Sequence, residues 1–250
     1  MISADLSGKT ALVTGASSGF GEHFAKVLAA SGAHVVVAAR RAERLSNLVE
    51  AIEAASGSAQ AVPLDVSDDG AVTSAFESLP TFDIVVNNAG VAGDSRSIDT
   101  PADEFRWTYG VNVHGAFFVA QAAARAMIAA GNGGSIINIA SITSFRPAAG
   151  SAAYASSKAA ILHLTKVLAL DWARHRIRVN AIAPGYFDTN INSEFLASDY
   201  GQAMKKRVPQ RRWGEMDDLS GPLLLLASGA SAYMTGACLE VDGGHLCSGL

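Results

Sequence analysis

Short apolar runs alternate with helical patterns along almost the whole chain, and this alternation constrains the fold more than any other feature. "KTALVTG" at 9–15 hands over to "GEHFAKVLAASG". "HVVVAAR" at 34–40 hands over to "AERLSNLVEAIEAAS", where Leu45, Leu48, Val49 and Ile52 fall at i, i+3, i+4 and i+7, one face of a helix. "AQAVPLDV" precedes a helical stretch around Val72, Phe76 and Leu79, and "DIVVNNAG" precedes a long helical region over about 102–130. "GSIINIAS" precedes another over about 153–174, and "IRVNAIAPG" and "GACLEVDGG" complete seven strand candidates. Strands joined through helices are parallel, and each crossover covers a face of the sheet. The expectation is an α/β fold: one Rossmann-type doubly wound parallel seven-stranded sheet with helices on both faces, spanning 1–250 as a single domain. One segment breaks the rhythm, 186–213, too long and polar for an ordinary connection, and is assigned as a substrate lid.

At the first strand-to-helix junction stands "TGASSGFG" (14–21), with glycines at 15, 19 and 21. Glycine is costly inside regular structure, so a cluster at a junction implies a tight turn or a close backbone approach. In a doubly wound sheet that junction places a helix N-terminus where a pyrophosphate binds. The spacing is not the usual G-x-G-x-x-G, and alone it is a weak signal.

Its company strengthens it: "NNAG" at 87–90, Ser141, "YASSK" at 154–158 and "PGYFDT" at 184–189 follow in order. On these motifs the chain resembles the classical short-chain dehydrogenase/reductases over essentially its full length. The resemblance implies that Gly15, Gly19 and Gly21, with Ser17, Ser18 and Phe20 between them, form the pyrophosphate turn. Asp65 and Val66 would lie by the adenine, and Asn88, Ala89 and Gly90 would support the cofactor from the fourth strand. Pro184, Gly185 and Thr189 would hold the nicotinamide end, and Asn112, Ser141, Tyr154 and Lys158 match the family's catalytic tetrad. In the family such an Asn bends its helix and passes protons through water toward the Lys.

The residue types suit hydride transfer between a nicotinamide and a carbonyl carbon, which needs a proton donor at the oxygen and the same group as base in reverse. Free tyrosine, with a pKa of about 10, is a poor base at neutral pH. Lys158 follows Tyr154 by one helical turn, so its ammonium is placed to favour the phenolate, and oxidised nicotinamide would add a second positive charge. Ser141 ends a strand and would hold the substrate oxygen against Tyr154.

The second strand ends in Ala39, Arg40 and Arg41 where an NAD enzyme carries Asp or Glu. A guanidinium matches a 2′-phosphate, so the expected cofactor is NADP(H) rather than NAD(H), bound mainly through Arg40. The substrate pocket is expected from the lid, the turn after "NNAG" and the segment 142–153. Phe145, Tyr186, Phe195 and Leu196 would form an apolar wall, and Arg146 is available to an anionic group. The expected reaction is secondary alcohol to ketone and its reverse, the work of an alcohol dehydrogenase or carbonyl reductase. A 3-oxoacyl thioester reductase is an alternative, and a cofactor-sensing regulator without catalysis is one from another class, which the intact Tyr154 and Lys158 disfavour.

The formal charge of −4 gives no general attraction to nucleic acid or anionic membrane, and the cluster "KKRVPQRR" at 205–212 is short. No secretory pattern is visible, so a cytoplasmic location is expected. Cys238 and Cys247 read as free thiols and no His, Cys, Asp or Glu grouping has ligand spacing, so no metal is expected. The helical regions 102–130 and 153–174 are apolar over more than one stripe, which suits a subunit interface and, with the family's habit, a homotetramer.

Overall fold

The computed structural model describes residues 4–93, 95–187, 196 and 198–248. Seven strands form one parallel sheet: β1 (Thr10–Thr14), β2 (His34–Ala39), β3 (Ser58–Pro63), β4 (Ile84–Asn87), β5 (Gly134–Ile139), β6 (Ile177–Pro184) and β7 (Cys238–Val241). Their order across the sheet is β3-β2-β1-β4-β5-β6-β7. The chain therefore winds outward from β1 in one direction and from β4 in the other, and a crevice opens where the two directions part, at the carboxyl ends of β1 and β4.

The pleat sorts each strand into two cores. Ala11, Val13, Val35 and Val37 face one side, with Phe24 and Leu28 of α1 (Gly19–Ala30), Leu45 and Ile52 of α2 (Ala42–Ala54), and the leucines of the short helix α8 (Ser220–Ala227). Leu12, Val36 and Val85 face the other, with Val72 of α3 (Asp69–Ser78), Val119 and Met127 of α5 (Ala116–Ala130), and Leu168 of α6 (Ala152–Trp172). Strands buried on both faces read as continuous apolar runs, which is why the runs were visible without alternation. Phe24 is fully buried, and truncation there to alanine is expected to cost about 3–5 kcal/mol.

Local signals set the boundaries. Asp68 caps α3 by accepting from the Ala71 amide at 2.9 Å, and Gly131 ends α5 in the left-handed region at φ 69°. α4 (Ala102–Tyr109) runs into α5 through a π-helical turn, Gly110–Gly115, that contains Asn112. The continuous helix Ala102–Ala130 is long and apolar enough to cross a membrane by length and composition, but Val119, Ala123 and Met127 pack it onto the sheet. In the segment 186–213, Phe187 bridges to Gly214, so the two ends of the segment meet. α7 (Asp199–Lys205) is capped by the Ser198 hydroxyl, which accepts from the Gly201 amide at 3.1 Å.

Candidate active site

The loops after β1 and β4 touch at the crevice. Gly15 has φ +66°, and a Cβ there would lie 2.7 Å from the Ala89 Cα, so this contact requires glycine. Thr14 Oγ1 accepts from the amides of Asn88 and Ala89, each at 3.1 Å, and the Asn88 side chain donates back to the Thr14 carbonyl at 2.9 Å. Thr14 is thus a clasp that sequence reasoning passed over. A Cβ on Gly21 would collide with the Gly15 carbonyl and the Asn88 amide nitrogen, so the first turn of α1 lies directly on this clasp.

Ser18, the residue before α1, is extended and its side chain does not cap the helix. The first-turn amides of α1 carry a helix's N-terminal partial positive charge and face the crevice without that cap. Gly19 and Phe20 stand in this turn. The hydroxyls of Ser17 and Ser18 instead accept from Arg41, Nη2 reaching Ser17 at 2.8 Å and Ser18 at 2.9 Å. Arg40 lies farther out, its side chain 60% exposed and 3.9 Å from Asp65. So Arg41, rather than Arg40, is the guanidinium bound to the glycine turn. Asp65 accepts from the Ser67 hydroxyl at 2.6 Å and the Ser67 amide at 3.0 Å, and these bonds hold its carboxyl below the ordinary range. Val66 is buried against Gly115. Pro184 closes β6, and the Gly185 amide donates to Val241 at 2.9 Å.

One loop along the sheet, β5 delivers Ser141 and α6 delivers Tyr154 and Lys158. Ser141 Oγ accepts from the Thr143 amide at 3.1 Å, which leaves its proton free to point away from the backbone. The Ser141 side chain lies close enough to the Tyr154 phenol to pull its pKa down against burial. Lys158 is buried, its Nζ 2.8 Å from the Ile139 carbonyl and 5.7 Å from the centroid of the Tyr154 ring. Gly90 lies over it: a Cβ at 90 would be 3.3 Å from Nζ. Asn112 donates to the Val91 carbonyl and the Ser157 hydroxyl, each at 2.9 Å, and accepts from the Val91 amide at 2.8 Å. Both amide hydrogens are spent, so this side chain anchors the π turn to the loop after β4.

Burial dominates the electrostatics. It pushes the Tyr154 phenol up, partly offset by the Ser141 side chain, and it brings the Lys158 ammonium down to about 8. In this state the phenol is a proton donor.

The expected substrate wall is only partly assembled. Phe145 is 43% exposed at the mouth of the cleft. Tyr186 packs edge-on against Trp213 and His245, at ring centroid distances of 5.8 and 5.4 Å, and lines a cavity of about 290 Å³ with Phe187, Gly214 and Asp242. Leu196 is buried, and Thr189 and Phe195 lie outside the described residues. Arg146 is not open to an anion: its guanidinium donates to the carbonyls of His245, Leu246 and Ser248 at 3.2, 3.0 and 3.0 Å. These partners lie about a hundred positions away, beyond the reach of local sequence pattern. Among the described residues no group of three or more His, Cys, Asp or Glu side chains is placed to hold a metal ion.

Comparison with known proteins agrees with this geometry. A family model described as Enoyl-(Acyl carrier protein) reductase matches residues 15–245. The gluconate 5-dehydrogenase of Gluconobacter oxydans (strain 621H) is 39% identical over 244 residues, covering 96% of this chain and 95% of its own. The crystal structure of a gluconate 5-dehydrogenase from Burkholderia cenocepacia J2315 in complex with NADP and tartrate is 37% identical, with a TM-score of 0.93 over 98% of this chain and 97% of its own. A short-chain type dehydrogenase/reductase from Mycobacterium marinum is 40% identical, with a TM-score of 0.91 over 97% of each chain. With the switch-point crevice, the glycine turn and the Ser141–Tyr154–Lys158 cluster in one cleft, the chain is an oxidoreductase of the classical short-chain dehydrogenase/reductase family.

Proposed function

We propose that this protein interconverts a secondary alcohol and a ketone with NADP(H), Tyr154 acting as general acid and base, on a polyhydroxylated substrate of the sugar-acid or polyol class. The observation that carries the reaction is the cluster itself: a phenol beside a strand-end hydroxyl, one helical turn from a buried ammonium 5.7 Å from its ring. The residues at the crevice fit a dinucleotide. The uncapped start of α1 offers amide donors for a pyrophosphate, and the Gly15–Ala89 contact leaves a cradle that a side chain would fill. When bound there, the nicotinamide supplies or accepts the hydride.

Ser141 orients the substrate oxygen and donates to it as charge develops, Tyr154 gives or takes the proton at that oxygen, and Lys158 supplies a fixed positive charge behind the phenol. Asn112 holds the π turn in register with the loop over Lys158. Arg41 with Ser17 and Ser18, and Arg40 beside Asp65, supply the donors that favour a 2′-phosphate over a bare ribose hydroxyl.

Support for the substrate class comes from the two gluconate 5-dehydrogenases, one of them in complex with NADP and tartrate. The thioester alternative would use the basic cluster 205–212, where Lys206, Arg207 and Arg211 are exposed and Arg212 pairs with Asp218 at 2.9 Å. Exposed Phe105, Trp107, Val167 and Leu170 on the helices 102–130 and 152–172 support self-association as a homotetramer, four times the 25.8 kDa chain in solution.

The test is to assay the purified protein with NADP⁺ and NAD⁺ against D-gluconate, other aldonates and alditols, and to offer 3-oxoacyl thioesters with NADPH. Oxidation of a polyol or aldonate that prefers NADP⁺ and vanishes in Tyr154→Phe is the expected result. Turnover of thioesters alone would overturn the substrate class, and cofactor binding without any turnover would favour a sensor.

A further inference from the structure

We propose that Ser144 is a positioning residue for this reaction, fixing the separation between the hydroxyl of Ser141 and the helix that carries Tyr154 and Lys158. The inference rests on the reading above that these three residues perform the chemistry.

Ser144 closes the short 3-10 turn Ile142–Ser144 that follows β5. Its Oγ accepts from the Ser141 backbone amide at 3.3 Å and donates to the Lys158 backbone carbonyl at 2.8 Å. That carbonyl lies inside α6, where its second lone pair is available to a side chain from another element. Lys158 is thereby gripped at both ends by the segment that bears Ser141. Its ammonium is held by Ile139, two residues before Ser141, and its backbone by Ser144, three residues after. Ser141 and Ser144 also cap one another reciprocally, because Ser141 Oγ accepts from the Thr143 amide while Ser144 Oγ accepts from the Ser141 amide.

Loss of the Ser144 hydroxyl leaves a part-buried amide without its acceptor and removes the tie from the turn after β5 to the α6 backbone at Lys158. The approach of the Ser141 hydroxyl to the Tyr154 phenol then depends on a looser spacing. Misplacement of a catalytic group by a fraction of an ångström to 1 Å costs up to about a hundredfold in rate. Cofactor affinity is set at the start of α1, which Ser144 does not touch.

The experiment compares Ser144→Ala, Ser144→Cys and Ser144→Thr with wild type, using the aldonate or alditol turned over best, D-gluconate being tried first, and Tyr154→Phe as control. Ser144→Ala is expected to lower kcat by about ten- to a hundredfold with KM for the nicotinamide cofactor unchanged. It is also expected to move the pH at which oxidation accelerates upward, because the phenol loses part of the Ser141 contact that lowers its pKa. Ser144→Thr, which keeps the hydroxyl, restores most of the rate, and Ser144→Cys falls between. Should Ser144→Ala not fold, the order Thr above Cys and the pH profile of Ser144→Cys carry the same test. A wild-type kcat and pH profile in Ser144→Ala or Ser144→Cys, with Tyr154→Phe inactive, overturns the role of Ser144 alone. Retained turnover in Tyr154→Phe, or no turnover by the wild type across the panel, overturns the catalytic reading first and this inference with it.

Discussion

Lys158 stands one helical turn from Tyr154 on α6, its ammonium 5.7 Å from the centroid of the phenol ring and bonded to the Ile139 carbonyl. Among the described residues no carboxylate neutralises it, and burial is the cause of its lowered pKa. A buried unpaired cation beside a phenol is a poor arrangement for stability and a useful one for chemistry, since it adds positive charge where a phenolate must form.

That conflict gives a stability prediction with a definite sign. In the unfolded chain Lys158 titrates near 10.5, and in the fold near 8. Between these values the unfolded state binds more protons, so the Lys158 contribution becomes more favourable as pH rises from about 8 toward 10.5, and its full penalty is present below 8. The ceiling is about 3 kcal/mol. Lys158→Met removes the charge but leaves the Ile139 carbonyl without its donor, which returns about 1–3 kcal/mol. Urea midpoints are expected to place Lys158→Met at or slightly above wild type at pH 7, with wild type gaining on it toward pH 10. A variant equally less stable at both pH values would mean that the ammonium carries no burial penalty.

A second prediction concerns Tyr154. Its phenol is raised by burial and lowered by Ser141, so the bare protein presents the protonated form. Binding of NADP⁺ is expected to release protons near neutral pH and binding of NADPH to release fewer, measured with an indicator dye in weak buffer. The difference should disappear in Tyr154→Phe. Ser141→Ala is expected to lower kcat by about 10²–10³ and to shift the oxidation profile to higher pH. An unshifted profile would remove Ser141 from the control of Tyr154.

The architecture was legible because its signals are local. Each of the seven apolar runs follows from a few neighbouring residues. The cluster of Ser141, Tyr154 and Lys158 was legible through the family resemblance, and the four-residue spacing added only that Tyr154 and Lys158 share one helix face. What escaped were bonds made by topology. Thr14 clasps Asn88 across 74 positions, Arg146 reaches Ser248 across 102, and Ser144 meets Lys158 only because β5 and α6 pack together. The placement of Arg41 escaped for a related reason: adjacent residues after a strand diverge in direction, and only the fold shows that Arg41 turns back onto Ser17 while Arg40 stays exposed.

Gly15 and Gly8 offer a matched test of why glycine is used. Both have positive φ, +66° and +75°, but a Cβ on Gly8 meets nothing within 4 Å, whereas one on Gly15 meets the Ala89 backbone at 2.7 Å. Gly8→Ala is expected to cost about 1 kcal/mol of backbone strain and leave cofactor affinity unchanged. Gly15→Ala adds overpacking of about 1–3 kcal/mol and separates the β1 and β4 loops, so NADPH binding followed by fluorescence should weaken at least tenfold. Equal affinities in the two variants would show that the crevice tolerates opening.

The proposed preference for NADP(H) rests on the two arginines. Arg41 already has hydroxyl partners in Ser17 and Ser18, which fix its guanidinium beside the glycine turn, while Arg40 is exposed and only loosely tied to Asp65. A preorganised guanidinium loses less entropy on meeting a phosphate, so Arg41 is expected to contribute more to NADP⁺ binding than Arg40. Removing one charge-assisted bond costs about 1.5–3 kcal/mol, or roughly ten- to a hundredfold in affinity. Arg41→Ala should therefore raise KM for NADP⁺ within that range and leave KM for NAD⁺ nearly unchanged, with Arg40→Ala smaller in effect and more sensitive to salt, as an exposed charge is screened. Ser17→Ala should repeat part of the Arg41→Ala effect, because it releases the guanidinium without removing it. If Arg41→Ala weakens NAD⁺ and NADP⁺ alike, Arg41 shapes the glycine turn rather than reading the 2′-phosphate.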